Sequence, residues 1–531
     1  MFLWIWIAVG CSVVFLWLKN KISYFKEKGI NSIPYAEVLK ITYKTFTQKE
    51  HMVEGFKLAY DFYPDERFVG NFEFATPMVT IRDPELIKQV GVKDFEHFTN
   101  HRSIKNQDDW FSKSLIALKD QQWRDMRATL SPAFTGSKLK NMVPLITECS
   151  KDILDNIQEQ IKESTDQHLD LDTLDLFSRY TNDVIASCAF GIKTNSVKDR
   201  DNQFYAMGRK LTVFKIRQLI KMMALLLMPF ISKVKKLQIM PKDAVDFFQH
   251  IVLTTLNDRE EKKLYRPDLI QLLLEARKGT LTHENVNEEK DAGFATVEES
   301  IIGKSAIKQG WDNDDLIAQA FLFFFAGFET ISTALIFLLY ELALNPDIQD
   351  KLRQEIDEHY ESNQEKVLYD TIIHMKYLDM VVSESLRKWP PALGTDRVCN
   401  KPYNLGKQNS TSQNDLILEK NMVVMIPFWA LHRDPKYYEN PDKFDPERFS
   451  DENKHNIKPF TYLPFGIGPR NCIGSRFALM EIKMFVYELL RRLEVSPAPE
   501  TVIPAKLDPK SFAMRLEGGH TLRFKSRNYK N

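Results

Sequence analysis

The sequence predicts a mainly α-helical fold with small β-sheets, and three observations predict it. From about residue 50 onward, apolar residues recur at helical spacing over most of the chain. Candidate strands are few and short, such as 78–81 and 422–426. One stretch, 312–344, reads as a single long helix, with Asp312 and Asp315 spaced for an N-terminal capping box and Asn345-Pro346 closing it. The 531 residues contain enough apolar side chains for one large core or up to three smaller domains, and no internal repeat divides them.

Residues 2–18 are an almost unbroken apolar run, seventeen residues long. As a helix they would span roughly 25 Å, the short end of what crosses a bilayer. Lys19, Lys21, Lys26 and Lys28 follow at once, while no positive residue precedes the run and no small-residue cleavage site ends it. That pattern predicts an uncleaved anchor with the chain after Lys19 on the cytoplasmic side. The expected division is an anchor at 1–20, a linker at 21–50 and a globular domain at 51–531.

Lys+Arg and Asp+Glu are both 72, so no overall charge draws the chain to nucleic acid. The five cysteines, at 11, 149, 188, 399 and 472, are odd in number and widely spaced, without a CxxC pair. This argues against a disulfide framework and a zinc site, and fits the reducing cytosol.

Within the globular part, Trp123 and Arg127 lie one turn apart on a predicted helix. Residues 219–231 are mostly apolar with lysines inside and after, which suits either a buried helix or a surface segment dipping into lipid. Residues 280–309 are polar and predict a mobile surface insert. In the long helix, Gly327 costs about 1 kcal/mol relative to Ala, so something local requires a small residue or a distorted turn. The Thr330 hydroxyl can bond back to the Ala326 carbonyl, loosening the helix there. Glu384 and Arg387 stand three apart on another helix, which Trp389-Pro390-Pro391 ends.

The loop Phe465-Gly466-Ile467-Gly468-Pro469-Arg470-Asn471-Cys472-Ile473-Gly474 opens a helical run. Cys472 therefore stands just before a helix N-terminus, where backbone N–H groups and the helix dipole favour a thiolate, the form that binds metal. Gly468 and Gly474 allow close approach of a flat cofactor, and Arg470 adds a cation. A buried structural thiol is the competing reading of a lone cysteine.

Phe465, Gly468, Arg470, Cys472 and Gly474 resemble the heme-binding signature of the cytochrome P-450 monooxygenases. Ala326-Gly327-Phe328-Glu329-Thr330 is similar to that family's oxygen-binding motif, Trp123-x-x-x-Arg127 to its C-helix motif, and Glu384-x-x-Arg387 with Asp445-Pro446-Glu447-Arg448-Phe449 to its paired structural motif. The piece 291–300 looks like one seen in insect microsomal members. The resemblance implies the heme-thiolate fold, with heme b between the 312–344 helix and the Cys472 loop.

By the same resemblance Cys472 is the axial ligand of the heme iron, Phe465 packs near the sulfur, and Arg470, Trp123, Arg127, Arg397 and His101 meet the propionates. Thr330 and Glu329 assist proton delivery beside Ala326 and Gly327. Leu322, Phe325, Ala392 and Leu393 wall the substrate pocket, and Glu384, Arg387 and Arg448 lock the support of the cysteine loop. Residues 219–231 match the region above the substrate entrance.

The implied reaction inserts one oxygen atom of O2 into a lipophilic substrate, with electrons from NADPH through a membrane reductase, with cytochrome b5 as a further partner. The implied location is the endoplasmic reticulum membrane, the catalytic domain 51–531 facing the cytosol. Three phenylalanines beside the oxygen groove suggest a greasy pocket for plant toxins or insecticides. Arg124 and Arg476 are candidates for the reductase-docking surface. Two rival readings are a heme-thiolate isomerase or dehydratase, against which the Glu329-Thr330 pair argues, and a non-catalytic heme sensor, which would need no reductase surface.

Overall fold

The computed structural model describes residues 2–102, 109–213, 216–227, 238–281, 293–297, 310–364, 366 and 369–527. They form a mainly helical chain with short strands: β1 (Phe68–Glu73), β2 (Thr76–Ile81), β3 (His168–Asp172), β4 (Thr395–Val398), β5 (Tyr403–Lys407), β6 (Asp415–Leu418), β7 (Val423–Ile426), β8 (Leu493–Pro497) and β9 (Thr521–Ser526). The chain divides into two compact units, the first made of Met1–Arg102, Ala392–Pro441 and Lys458–Arg470, the second of Ser103–Pro391, Asp442–Ile457 and Asn471–Asn531.

The first unit is built on a sheet in the order β1-β2-β7-β4, with β5-β6 as a separate hairpin. The expected strands 78–81 and 422–426 are β2 and β7, paired in parallel with Met78 opposite Val423. Their apolar residues Val79, Ile81, Val424 and Ile426 are all fully buried. The stretch 21–50, expected as a linker, is structured. It carries the end of a helix, Phe2–Glu27, and a second helix, Tyr35–Phe46, and it buries Phe25, Ile30, Ile33 and Val38 in this unit's core. Phe25 packs edge-on against Phe72, so the apolar residues that follow the lysines belong to the sheet's core. On the Phe2–Glu27 helix Trp6, Leu16 and Trp17 are exposed.

The second unit centres on the helix Asn313–Leu344, whose capping box on Asp312 and Asp315 is formed as expected. This helix is long and apolar enough to cross a membrane, yet it is mostly buried among other helices, which makes it a core helix. Helix Thr173–Cys188 packs along it, and Phe177 and Tyr180 of that helix meet Phe485 of helix Ser475–Arg492. Trp389 stacks on Phe337 at 4.3 Å and donates to Glu341 at 2.7 Å, fixing the end of helix Lys376–Lys388. A sheet in the order β3-β9-β8 completes the unit.

Two expectations meet a mixed outcome. Of 219–231, the described part lies on helix Ile216–Leu227, where Leu225 is buried and Ile220 exposed; residues 228–231 lie outside the described residues. Of 280–309, residues 293–297 are docked instead of free. The Phe294 amide donates to Asp379 at 2.9 Å, its ring meets Phe449 edge-on at 5.0 Å, and Ala295 is buried. Gly293 has φ +110°, and a Cβ there would overlap the Asp379 carboxylate. The rest of that insert, 282–292 and 298–309, lies outside the described residues.

Candidate heme-thiolate site

Cys472 is exposed, although Asn471 before it is buried. It stands three residues ahead of helix Ser475–Arg492, whose N-cap is Gly474, so the unpaired amides of that first turn favour negative charge on the sulfur. Helix Asp120–Leu130 buries both Trp123 and Arg127. The Arg127 guanidinium donates to the Asn471 carbonyl at 2.8 Å and to its side-chain oxygen at 2.7 Å. It thereby fixes the peptide that precedes the thiol, a role that spacing alone could not assign.

The middle of the Asn313–Leu344 helix differs from its ends. Ile331 to Ala343 is buried all round, whereas Ala326 and Thr330 are exposed one turn apart, with Leu322 and Phe325 partly exposed on the same side. Thr330 donates to the Ala326 carbonyl, as the sequence suggested. Further hydroxyls act likewise: Thr181 donates to Phe328 O at 3.0 Å and Thr333 to Glu329 O at 2.7 Å. Side chains bonding helix carbonyls compete with the backbone ladder and bend helices locally.

Gly327 is explained by packing, since a Cβ there would lie 2.7 Å from the Ile185 side chain. The expectation of three phenylalanines beside the groove needs correction. Phe324 is fully buried and packs against Phe248 at 4.6 Å and Phe204 at 5.8 Å, so it serves the core. Phe323 meets Phe134 at 5.2 Å.

Glu384 and Arg387 are fully buried and joined by two bonds of 2.7 and 2.8 Å. Arg448 adds a contact of 3.5 Å and the Asp445 amide donates to the same carboxylate at 2.9 Å. All three expected residues therefore meet, as a charge cluster that ties helix Lys376–Lys388 to the 445–449 loop. Arg124 and Arg476 are both half-buried.

The first unit holds the remaining expected residues. Gly468 has φ +66°, and a Cβ there would collide with the Gly91 carbonyl at 1.8 Å, so only glycine fits. Arg470 donates to Thr99 O at 2.8 Å, and Phe465 is half-buried. Arg397 on β4 is fully buried. It donates to the Thr395 hydroxyl, the Asp396 carbonyl and the Ile467 carbonyl, at 3.1, 2.8 and 3.1 Å. Its Nε finds no acceptor and, among the described residues, it joins no ion pair. Burial pulls its pKa down to about 10.

His101 Nδ1 sits 3.0 Å from the Asp396 carbonyl. Burial lowers its pKa, with the Asp396 contact opposing. Leu393 is buried, its carbonyl accepting from the Trp429 amide at 3.0 Å, while Ala392 is exposed.

Sequence reasoning missed Arg515. Buried near the C-terminus, it forms an ion pair with Glu329 and donates to the Thr333 hydroxyl at 2.8 Å. Glu329 Oε2 is buried and has no partner among the described residues. No local pattern signals a contact spanning 186 residues.

Each unit by itself offers groups that suit part of a heme: the second an accessible thiol at a helix N-terminus and a helix with Ala326 and Thr330 exposed, the first a buried Arg397 whose Nε has no acceptor among the described residues and suits an anionic propionate. The cytochrome P450 family profile matches residues 42–522. Similar proteins include cytochrome P450 9e2 of Blattella germanica, 44% identical over 99% of this chain and 98% of its own. Cytochrome P450 9c1 of Drosophila melanogaster is 38% identical over 96% of each chain, and cytochrome P450 6k1 of Blattella germanica 37% identical over 96% and 94%. With its cysteine loop and buried Glu384–Arg387 pair, this chain belongs to the cytochrome P450 family.

Proposed function

We propose that this chain is a membrane-anchored heme-thiolate monooxygenase of the endoplasmic reticulum that oxidises lipophilic compounds, plant toxins or insecticides among them. NADPH would supply electrons through a membrane reductase, with cytochrome b5 as a second donor. The observation that carries the reading is Cys472: accessible, at the start of a helix, with the preceding residue gripped by Arg127. Heme supplies O2 activation, and a thiolate ligand favours O–O cleavage.

The protein's own groups do the rest. Cys472 would hold the iron, and Arg397, Arg470, Trp123, Arg127 and His101 would meet the propionates. The Thr330 hydroxyl and the Glu329 carboxyl would hold and move a proton, while Leu322, Phe325, Ala392 and Leu393 would orient an apolar substrate and exclude water. The exposed Trp6, Leu16 and Trp17 support an anchor within residues 1–20.

Two measurements test this. Cys472→Ala should lose the thiolate-specific carbon-monoxide difference band; an unchanged spectrum overturns the ligand assignment. Reconstituted with reductase, the enzyme should consume NADPH in response to members of a lipophilic panel. No turnover across the panel overturns the monooxygenase reading.

A further inference from the structure

The Arg515 contact deepens the proposed proton delivery and rests on that reading. Glu329 and Thr333 lie one helical turn apart, and Arg515 holds both, with Nη2 on Glu329 Oε1 and Nη1 on the Thr333 hydroxyl. That hydroxyl in turn donates to the Glu329 carbonyl, so one guanidinium fixes the side chain and braces the backbone of the same residue.

The segment carrying Arg515 is itself held. The Asp508 amide donates to the Arg515 carbonyl at 2.7 Å, the Leu516 amide donates to His520 Nε2 at 3.1 Å, and Leu507 bridges Leu516. Arg515 is 7% exposed, so the interaction is little screened by water. The carboxylate keeps one oxygen, Oε2, buried and without a partner among the described residues, and the next residue in sequence, Thr330, is exposed. A buried polar atom left unsatisfied is costly, and a catalytic role is one of the reasons for which such an atom is kept.

We propose that Arg515 is a positioning residue for the Glu329–Thr330 pair. By occupying Oε1 it fixes the carboxylate rotamer and reserves Oε2 for carrying a proton to the Thr330 side of the helix. Arg515 touches neither substrate nor heme in this role; it acts through Glu329.

The test uses the full-length enzyme reconstituted with reductase, comparing Arg515→Met, Arg515→Lys, Glu329→Gln and the double variant Arg515→Met/Glu329→Gln. Peroxide released per NADPH should rise about threefold or more in Arg515→Met and in Glu329→Gln, a modest part of what a positioned acid contributes. The double variant should show no further rise, and Arg515→Lys should recover part of the coupling. Amide hydrogen exchange across 326–333 should quicken in Arg515→Met, a readout independent of turnover.

Wild-type coupling in Arg515→Met, or additive effects in the double variant, overturns the inference while leaving the monooxygenase reading intact. If Arg515→Met fails to fold, Thr333→Val releases half of the grip and must still raise peroxide release. If the wild type consumes no NADPH with any member of the panel, the proposed function falls and this inference falls with it.

Discussion

Glu384 and Glu329 are carboxylates of the same unit, each facing an arginine, and they are satisfied differently. Glu384 is fully buried with both oxygens engaged, by Arg387 twice, by the Asp445 amide and by Arg448. Glu329 has one oxygen on Arg515 and the other on nothing among the described residues. A carboxylate with both oxygens engaged by buried cations and a backbone amide holds pieces of the fold together and is poorly placed for proton traffic. One with a reserved oxygen gives up some stability and retains that capacity. The difference separates a structural lock from a chemical group, although both read in the sequence as an acid near a motif.

Arg387→Ala leaves Glu384 buried and uncompensated and should cost about 3–5 kcal/mol. Thermal unfolding should report the loss, and a shift of only a degree or two would show that Glu384 finds another partner. Glu329→Gln keeps an oxygen for Arg515 to bond and should cost only about 1–2 kcal/mol in the same assay. A loss as large as that of Arg387→Ala would place Glu329 among the locks.

His520 anchors the Arg515 segment, its Nε2 accepting from the Leu516 amide. Burial, with Arg515 nearby, lowers its pKa from 6.5 to about 3. The unfolded chain therefore takes up a proton before the folded one does. The stability this gives is present above pH 6.5 and is lost as pH falls from there toward about 3. His520→Gln should flatten the unfolding midpoint in that window, and an unchanged acid slope would exclude the histidine.

The smallest effect concerns Glu481, fully buried with neither oxygen partnered among the described residues. Burial pushes its carboxyl well above the usual carboxylate range. Once pH exceeds about 4.3 the unfolded chain loses this proton and the folded one keeps it, so stability falls as pH rises. Glu481→Gln should remove that decline. A decline of the same slope in the variant would show that the buried acid is not its source.

Much of this was legible because it is local. The capping box on Asp312 and Asp315, the Thr330 bond to Ala326 and the Glu384–Arg387 pair all join residues three or four apart, where spacing and contact are the same thing. The cysteine loop was legible as a string of residues whose combination is rare. Arg515 was not, because its partners are remote in sequence and an arginine near the C-terminus carries no periodicity. The docking of 293–297 was hidden for a similar reason: its hold is a backbone amide on Asp379, which no side-chain pattern encodes. Phe324 was misjudged because a run of three phenylalanines must point in several directions around a helix, and only packing decides which way each one turns.

The burial of Phe25 sets how much of the N-terminal helix the fold needs. Gly70 on β1 lies so close to that ring that even a Cβ would sit 2.7 Å from it, and Ile30 and Ile33 fill the space alongside. Trimming the N-terminal helix before Tyr24 leaves Phe25 and the core it joins in place. A cut at residue 30 would strip the back of the sheet and leave a form that clumps whether or not detergent is present.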